Sequence, residues 1–376
     1  MRYPLPTKPL ALCFQGRASF YVESTDIGET CVVVHCDATG RILCWCLAPS
    51  VQLSLAGLAD QQIRCEGMLV DGRPFTCTHM QWVNWPSEGV PPDAIALRAS
   101  RFVVGREEPG QDWTFSLTNL LLQNFSIDDQ PGRVTLRDHD IAATLSPGPD
   151  YAIRMNYLRA YKGIDVTATL RLSSVPPGRD LRVVAQDVCL VLSVLTGHRV
   201  NWVARHANTT LVFEDRITKP CSGWPVLGRF DKALGKEWSW QDLLVSASQA
   251  LPFFEQHAAA YRLRCGLVDS WIDARIETDF LETRGLKTVA VLEMIKSAHR
   301  DHFNLQGKFY DLLVRVYNDL GLTVPAELTT ITEIRNSLVH EGRFLPAKME
   351  DVQQYELLSH HTDRLVLALK IGRAHV

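Results

Sequence analysis

Along this 376-residue chain the hydrophobic period changes once, near Ser239. Before that point apolar residues alternate with polar ones, roughly every second position, as in strands. After it they recur at about 3.6 residues, as on one face of a helix. A chain patterned this way is expected to be α+β. Its β-rich N-terminal domain spans residues 1–235, and its all-helical C-terminal domain, of four-helix type, spans 236–376.

The first region carries short β-branched and aromatic runs such as Ser19-Phe20-Tyr21-Val22-Glu23 and Cys31-Val32-Val33-Val34-His35-Cys36. Asp37-Ala38-Thr39-Gly40 is a turn into Arg41-Ile42-Leu43-Cys44-Trp45-Cys46-Leu47, a hairpin signature. A second hairpin is expected around Asp71-Gly72-Arg73-Pro74. Ile164, Val166, Ala168, Leu170 and Leu172 alternate with Asp165, Thr167, Thr169 and Arg171, which predicts a strand with one buried and one wet face. Trp113, Phe115 and Leu117 alternate in the same way. Short strands between Gly/Pro turns suggest a sandwich or a strongly bent sheet. Val175-Pro176-Pro177-Gly178 interrupts the pattern, and a helix at about 180–197, capped by Asp180 and ended by Gly197, follows. Lys219 to Pro225 is the expected linker.

In the second region, helices are expected over Trp240 to Arg262 (with Pro252 inside), Leu267 to Ala274, Phe280 to Ala298, Phe309 to Leu320, the stretch beginning near Thr330, and Ala347 to about Lys370. Thr330 stands three residues before Glu333, a capping-box spacing. Ile331, Ile334, Leu338 and Val339 then form one apolar stripe. The polar residues among them, Arg335, Asn336 and His340, have no place in that stripe. Asn336 and His340 are four apart and share a face. At the first turns of a helix, such a set together with the positive end of the helix dipole would seat a phosphate.

This stretch, Arg335-Asn336-Ser337-Leu338-Val339-His340, resembles the Arg-x4–6-His motif of the HEPN superfamily, helical bundles found in prokaryotic toxins, antiviral defence proteins and RNases. The resemblance covers roughly residues 245–370, and within the superfamily it is closest to the ApeA-like branch, in which a β-rich region precedes the bundle. It implies a metal-independent endoribonuclease of antiviral or toxin type with Arg335, Asn336 and His340 as catalytic residues. His340 would move the proton of a 2′-OH. Arg335 would offer a planar fork to phosphate oxygens. Asn336 would orient His340 or the phosphate. Glu293, on a neighbouring helix, would pair with Arg335 in support. The implied substrate is RNA, the implied assembly a homodimer in which two motifs face one cleft, and no metal or cofactor is called for. The β-rich domain would sense an unknown trigger or target the RNA. Two other readings compete: a non-catalytic RNA- or nucleotide-binding module, and a helical adaptor. In the first Arg335 and His340 only bind phosphate; in the second, which has no ligand, they are structural, as lone Arg and His residues on helices usually are.

The remaining features exclude more than they assign. A net charge of −3 argues against a basic nucleic-acid coat. No run approaches the roughly 18 apolar residues of a membrane span, and Met1-Arg2-Tyr3-Pro4-Leu5-Pro6 has no signal-peptide core, so the cytoplasm is the expected compartment. The ten cysteines form no CxxC pair. Cys31, Cys36, Cys44 and Cys46 cluster in sequence and are expected to be small strand hydrophobes, with Cys44 and Cys46 on one face, rather than zinc ligands. Disulfides are not expected in a reducing compartment. The acidic pairs Glu107-Glu108, Asp128-Asp129 and Asp138-His139-Asp140 read as turns, and Trp82 and Trp85 as core filling. His299, His302, His360 and His361 are expected at the surface. Ile371 to Val376 match the translation of a common sequencing adapter, so the natural chain is expected to continue past Lys370.

Overall fold

The computed structural model describes residues 11–46, 62–83, 95–108, 111–120, 130–161, 164–173, 179–215, 239–261, 264–275, 279–345 and 349–371. The 175–178 break, the 219–225 linker, Trp85, the Asp128-Asp129 pair and residues 372–376 lie outside them. The described strands are β1 (Ala11–Val22), β2 (Thr25–Asp37), β3 (Ile42–Cys46), β4 (Ile63–Leu69), β5 (Pro74–Trp82), β6 (Ile95–Ala99), β7 (Arg101–Val104), β8 (Trp113–Thr118), β9 (Gly132–Leu136), β10 (Ile141–Pro147), β11 (Val166–Ser173), β12 (Asn201–Ala207) and β13 (Thr210–Glu214). The helices are α1 (Tyr151–Tyr161), α2 (Leu181–Thr196), α3 (Trp240–Tyr261), α4 (Arg264–Asp273), α5 (Leu281–His302), α6 (Phe309–Asp319), α7 (Leu328–Glu341) and α8 (Asp351–Ile371). The class is α+β. The compact units, however, are interleaved in sequence rather than divided at residue 235. The first takes in Met1–Asn119, Ser146–Leu181 and Asn201–Pro220, the second Leu120–Leu145, Arg182–Val200 and Cys221–Val376.

In the first unit the strands β4-β1-β2-β3-β6-β5 follow one another, and β4 also pairs with β5. The ring closes, so the N-terminal strands make a barrel rather than the expected sandwich or bent sheet. Closure removes the unpaired edges that an open sheet would expose. Alternate residues point inward and pack as one core that includes Phe20, Val34, Ile42, Phe75, Met80 and Leu97. Both expected hairpins are present. The Asp37 carboxylate accepts from the backbone N–H of Thr39 at 2.8 Å and of Arg41 at 3.2 Å, fixing the β2–β3 turn. Where β1 crosses β4, a side chain at Gly67 would collide with the Arg17 carbonyl oxygen, so only glycine allows that approach. Beyond the ring, β5 pairs with β7, and the ladder continues through β13, β12, β8 and β11.

β11 departs from the expected wet face at its N-terminal end, where Asp165 and Thr167 are buried. The Asp165 carboxylate accepts from Arg154 of α1 at 2.6 Å, which compensates the buried charge. Helix α1 itself replaces expected β structure. Its Tyr151, Met155 and Leu158, at i, i+4 and i+7, are buried.

In the second unit the hairpin β9–β10 lies along α3. The Gln241 side-chain amide receives the Arg133 N–H at 2.8 Å and donates to the Arg133 carbonyl at 3.0 Å, completing an edge of β9 in place of a strand. Ser248 Oγ accepts from the Arg137 N–H one helical stretch further on. Helix α2 is apolar nearly all round, with Val184, Val188, Val191 and Leu192 buried, the signature of an interior helix. Arg199, just past its end, is buried and anchored by Asp269 at 2.8 Å and Asp273 at 3.1 Å, both on α4. Helix α3 runs through Pro252 without a break.

α7 begins at Leu328, with Glu327 at its N-cap and no side-chain cap bond, so Thr330 lies inside the helix and the capping box is not formed. Buried Leu328 extends the stripe of Ile331, Ile334 and Leu338 by one turn toward Pro325, and that burial sets the start. Val339 is exposed rather than part of the stripe, and Ser337 is buried instead, donating to the Arg343 carbonyl at 2.8 Å. α8 starts at Asp351, leaving Met349 and Val352 exposed. His299 and His361 are buried, contrary to expectation. His299 Nε2 is 2.9 Å from the Asp319 carboxylate, and burial outweighs that carboxylate to hold the imidazole below its ordinary pKa. Among the described residues no helix is long and apolar enough to cross a membrane.

Candidate functional site

Three helices bring the polar set together. Glu293 and Lys296 stand one turn apart on α5, Phe309 opens α6, and Arg335, Asn336 and His340 lie on α7. The Arg335 guanidinium is the hub. Its Nε donates to Glu293 Oε1 at 2.8 Å, its Nη2 to the same oxygen at 2.5 Å, and its Nη1 to Asn336 Oδ1 at 2.8 Å. Lys296 pairs with the other Glu293 oxygen. Both cations lie over the Phe309 ring, Arg335 Cζ at 5.1 Å and Lys296 Nζ at 5.7 Å from its centroid, a cation–π arrangement. Burial of the Glu293 carboxyl pushes its pKa upward, but the bonds from Lys296 and Arg335 outweigh it and hold the group below the usual carboxylate range.

A guanidinium has five N–H donors. Three are engaged here, two with Glu293 and one with Asn336, which leaves two for a ligand. The Arg335 side chain keeps 20% of its surface exposed. Two cations against one carboxylate leave the cluster with a surplus positive charge.

Asn336 and His340 are both exposed on α7. Asn336 turns its oxygen to Arg335, not to His340, so its amide N–H₂ is the group free to donate outward. His340 has no hydrogen-bond partner among the described residues. The structure thus joins Arg335, Asn336 and Glu293 directly and places His340 one turn beyond Asn336, outside that hydrogen-bonded group.

The expected help from the helix dipole is absent. Arg335 is the eighth residue of α7, and His340 is next to its last. That end of a helix carries the partial negative charge, which does not attract phosphate. Any attraction for an anion must come from the Arg335–Lys296 surplus.

Glu107 is taken by Arg101 and, at 2.6 Å, by Arg205. His139 of the Asp138-His139-Asp140 turn is buried. Sequence reasoning missed a different group. Cys44, Cys65 and Cys77 place their sulfurs within 4.8 Å of one another, all buried. Spacing groups Cys44 with Cys31, Cys36 and Cys46, whereas its actual partners are 21 and 33 positions away, joined only by strand pairing. Comparison of the chain with family models, with curated proteins and with solved structures finds no match.

Proposed function

We propose that this chain is a HEPN-type endoribonuclease that cleaves RNA in the cytoplasm and acts in antiviral defence or as a toxin. The observation that supports the reading is the arginine fork fixed by Glu293 and Asn336, with two donors left over, beside an exposed histidine on the same helix. His340 takes the proton of a 2′-OH, and the freed oxygen attacks the adjacent phosphorus. The bond to the 5′-oxygen breaks, leaving a 2′,3′-cyclic phosphate on one fragment and a 5′-OH on the other. Arg335 stabilises the charge that develops on the phosphoryl oxygens. One chain supplies one histidine, so the proton for the leaving oxygen comes from the His340 of a second copy in a homodimer. The barrel-containing unit restrains the nuclease or targets it until a trigger arrives.

The test is digestion of total RNA by the purified chain in the presence of a chelator. Fragments ending in cyclic phosphate are expected. His340→Ala should lower the rate by about 10²–10⁴-fold, the usual contribution of positioned proton transfer. Equal cleavage by wild type and variant rejects the proposal.

One observation favours a second reading, a non-catalytic RNA- or nucleotide-binding module. Arg335 already makes a two-bond pair with Glu293, the arrangement of a residue that ties α5 to α7. On that reading RNA binds without being cut, and binding weakens in both Arg335→Ala and His340→Ala. If RNA does not bind at all, the helical adaptor is what remains.

A further inference from the structure

We propose that Cys44, Cys65 and Cys77 form an all-sulfur binding site for a thiophilic d¹⁰ metal ion, Zn²⁺ or Cu⁺, that staples the barrel from inside. The three residues come from β3, β4 and β5. Cys65 and Cys77 are direct register partners across the β4–β5 pair that closes the ring. Cys44 reaches them from the far wall, since in the ring order β4-β1-β2-β3-β6-β5 strand β3 stands opposite β4. All three are fully buried. Cysteine packs well as a small hydrophobe, and that alone accounts for burial. It does not account for three sulfurs converging within 4.8 Å from opposite walls, when buried apolar side chains surround them.

The geometry suits a metal. With metal–sulfur bonds of about 2.3 Å, three thiolates around one ion lie roughly 3.8–4.0 Å apart. The trio therefore needs to contract by less than about 1 Å, a small shift for side chains on a closed barrel. The donor set selects the ion. It has no oxygen ligand, so Mg²⁺ and Ca²⁺ have nothing to bind. Thiolates select soft ions such as Cu⁺ and borderline ones such as Zn²⁺. Three thiolates complete the shell of Cu⁺ but leave a charge of −2. With Zn²⁺ they leave −1, the smaller burden in an apolar interior. On binding, each thiol releases its proton to solvent as the metal–sulfur bond forms, with no change of oxidation state. Because the site is closed, the ion enters as the barrel folds.

The experiment uses the full chain, produced in cells grown with added zinc or, separately, added copper, and purified under reducing conditions with a chelator. About one ion per chain is expected to survive the chelator in one of the two preparations, and that preparation should melt at a higher temperature than the metal-depleted chain. X-ray absorption at the retained metal should report a sulfur-only shell. Cys65→Ala should lose the ion, whereas Cys36→Ala, a buried barrel thiol outside the trio, should keep it. Absence of either ion from both preparations overturns the proposal. So does a retained ion with a nitrogen or oxygen shell, a result that needs no variant to fold.

Discussion

At the residue scale, Arg335 and Glu293 pose the sharpest question, because their pair serves both the catalytic and the structural reading. The pairing itself was legible in the sequence, since a carboxylate on the preceding long helix is the natural partner of an arginine in a sparse set. The position of the motif within its helix was not. Thr330 and Glu333 mimic a helix start, and nothing local shows that burial of Leu328 carries α7 a turn further back. Glu293→Gln keeps the shape and removes the charge. Under the nuclease proposal Arg335 loses its fixed orientation, and turnover should drop by roughly ten- to a hundredfold, as small misplacements of catalytic groups do. Under the structural reading there is no turnover to lose. Stability reports on the pair in either case. The Glu293 carboxyl titrates below its ordinary 4.5 in the folded chain. The unfolded chain therefore binds the proton first as pH falls. The ion pair's contribution is complete above about pH 4.5 and disappears as pH drops through the folded value. Melting curves should show wild type above Glu293→Gln at neutral pH, by no more than about 1 kcal/mol, with the gap closing in acid. A gap that persists unchanged to pH 3 would mean the charge is not its origin.

At the scale of elements, what was readable followed the range of the interaction. Hairpins and helices set by neighbours in sequence, such as β2–β3 and α6, stand where the pattern puts them. Closure of the barrel depends on β4 pairing with both β1 and β5, and no local pattern carries that. Buried polar residues were also hidden, because the sequence gives a histidine no sign of its depth. His361 of α8 is the instructive case. Its Nδ1 is 3.2 Å from the hydroxyl of Tyr317 on α6, in the interior. Burial above all, then the positive neighbours His360 and Arg364, pushes its pKa down to about 4, against a small opposing effect of Glu327. The ordinary value is 6.5. Between the two the unfolded chain takes up a proton that the folded chain refuses, so stability rises with pH across that window and is lost as pH falls through it. Urea midpoints measured from pH 7 to 4 should decline in wild type. In His361→Asn, whose amide occupies the place of Nδ1 and still meets Tyr317, the decline should be shallower. Parallel declines in the two proteins would show that His361 stays uncharged in both states or titrates elsewhere.

At the scale of the whole molecule, the change of period near Ser239 indicated the two kinds of structure but not their division. Gln241 and Ser248 bind the backbone of the β9 hairpin, and Arg199 binds α4, so segments far upstream group with the helices. The same limit applies to assembly, which no single chain's sequence displays. The proposed nuclease requires two copies, because one motif has a base but no second acid. This can be tested by complementation. Arg335→Ala and His340→Ala chains are each expected to be inactive as homodimers: one keeps its histidines without the charge-stabilising fork, the other the reverse. Mixed and allowed to exchange, they form dimers in which one subunit carries an intact arginine and the other an intact histidine. If the two motifs share one cleft, such a dimer holds one intact arginine and one intact histidine there but not the second histidine, so partial cleavage, above that of either variant alone and below wild type, should appear on mixing. It should grow with the extent of exchange and still yield cyclic-phosphate ends. If exchange is verified by differently tagged subunits and activity stays at the variant level, an arginine and a histidine on different subunits do not act together and the composite cleft fails. If sedimentation shows that the active wild type is a monomer, it fails at an earlier step, and the missing acid must then be sought among the exposed groups around His340 on α7 itself.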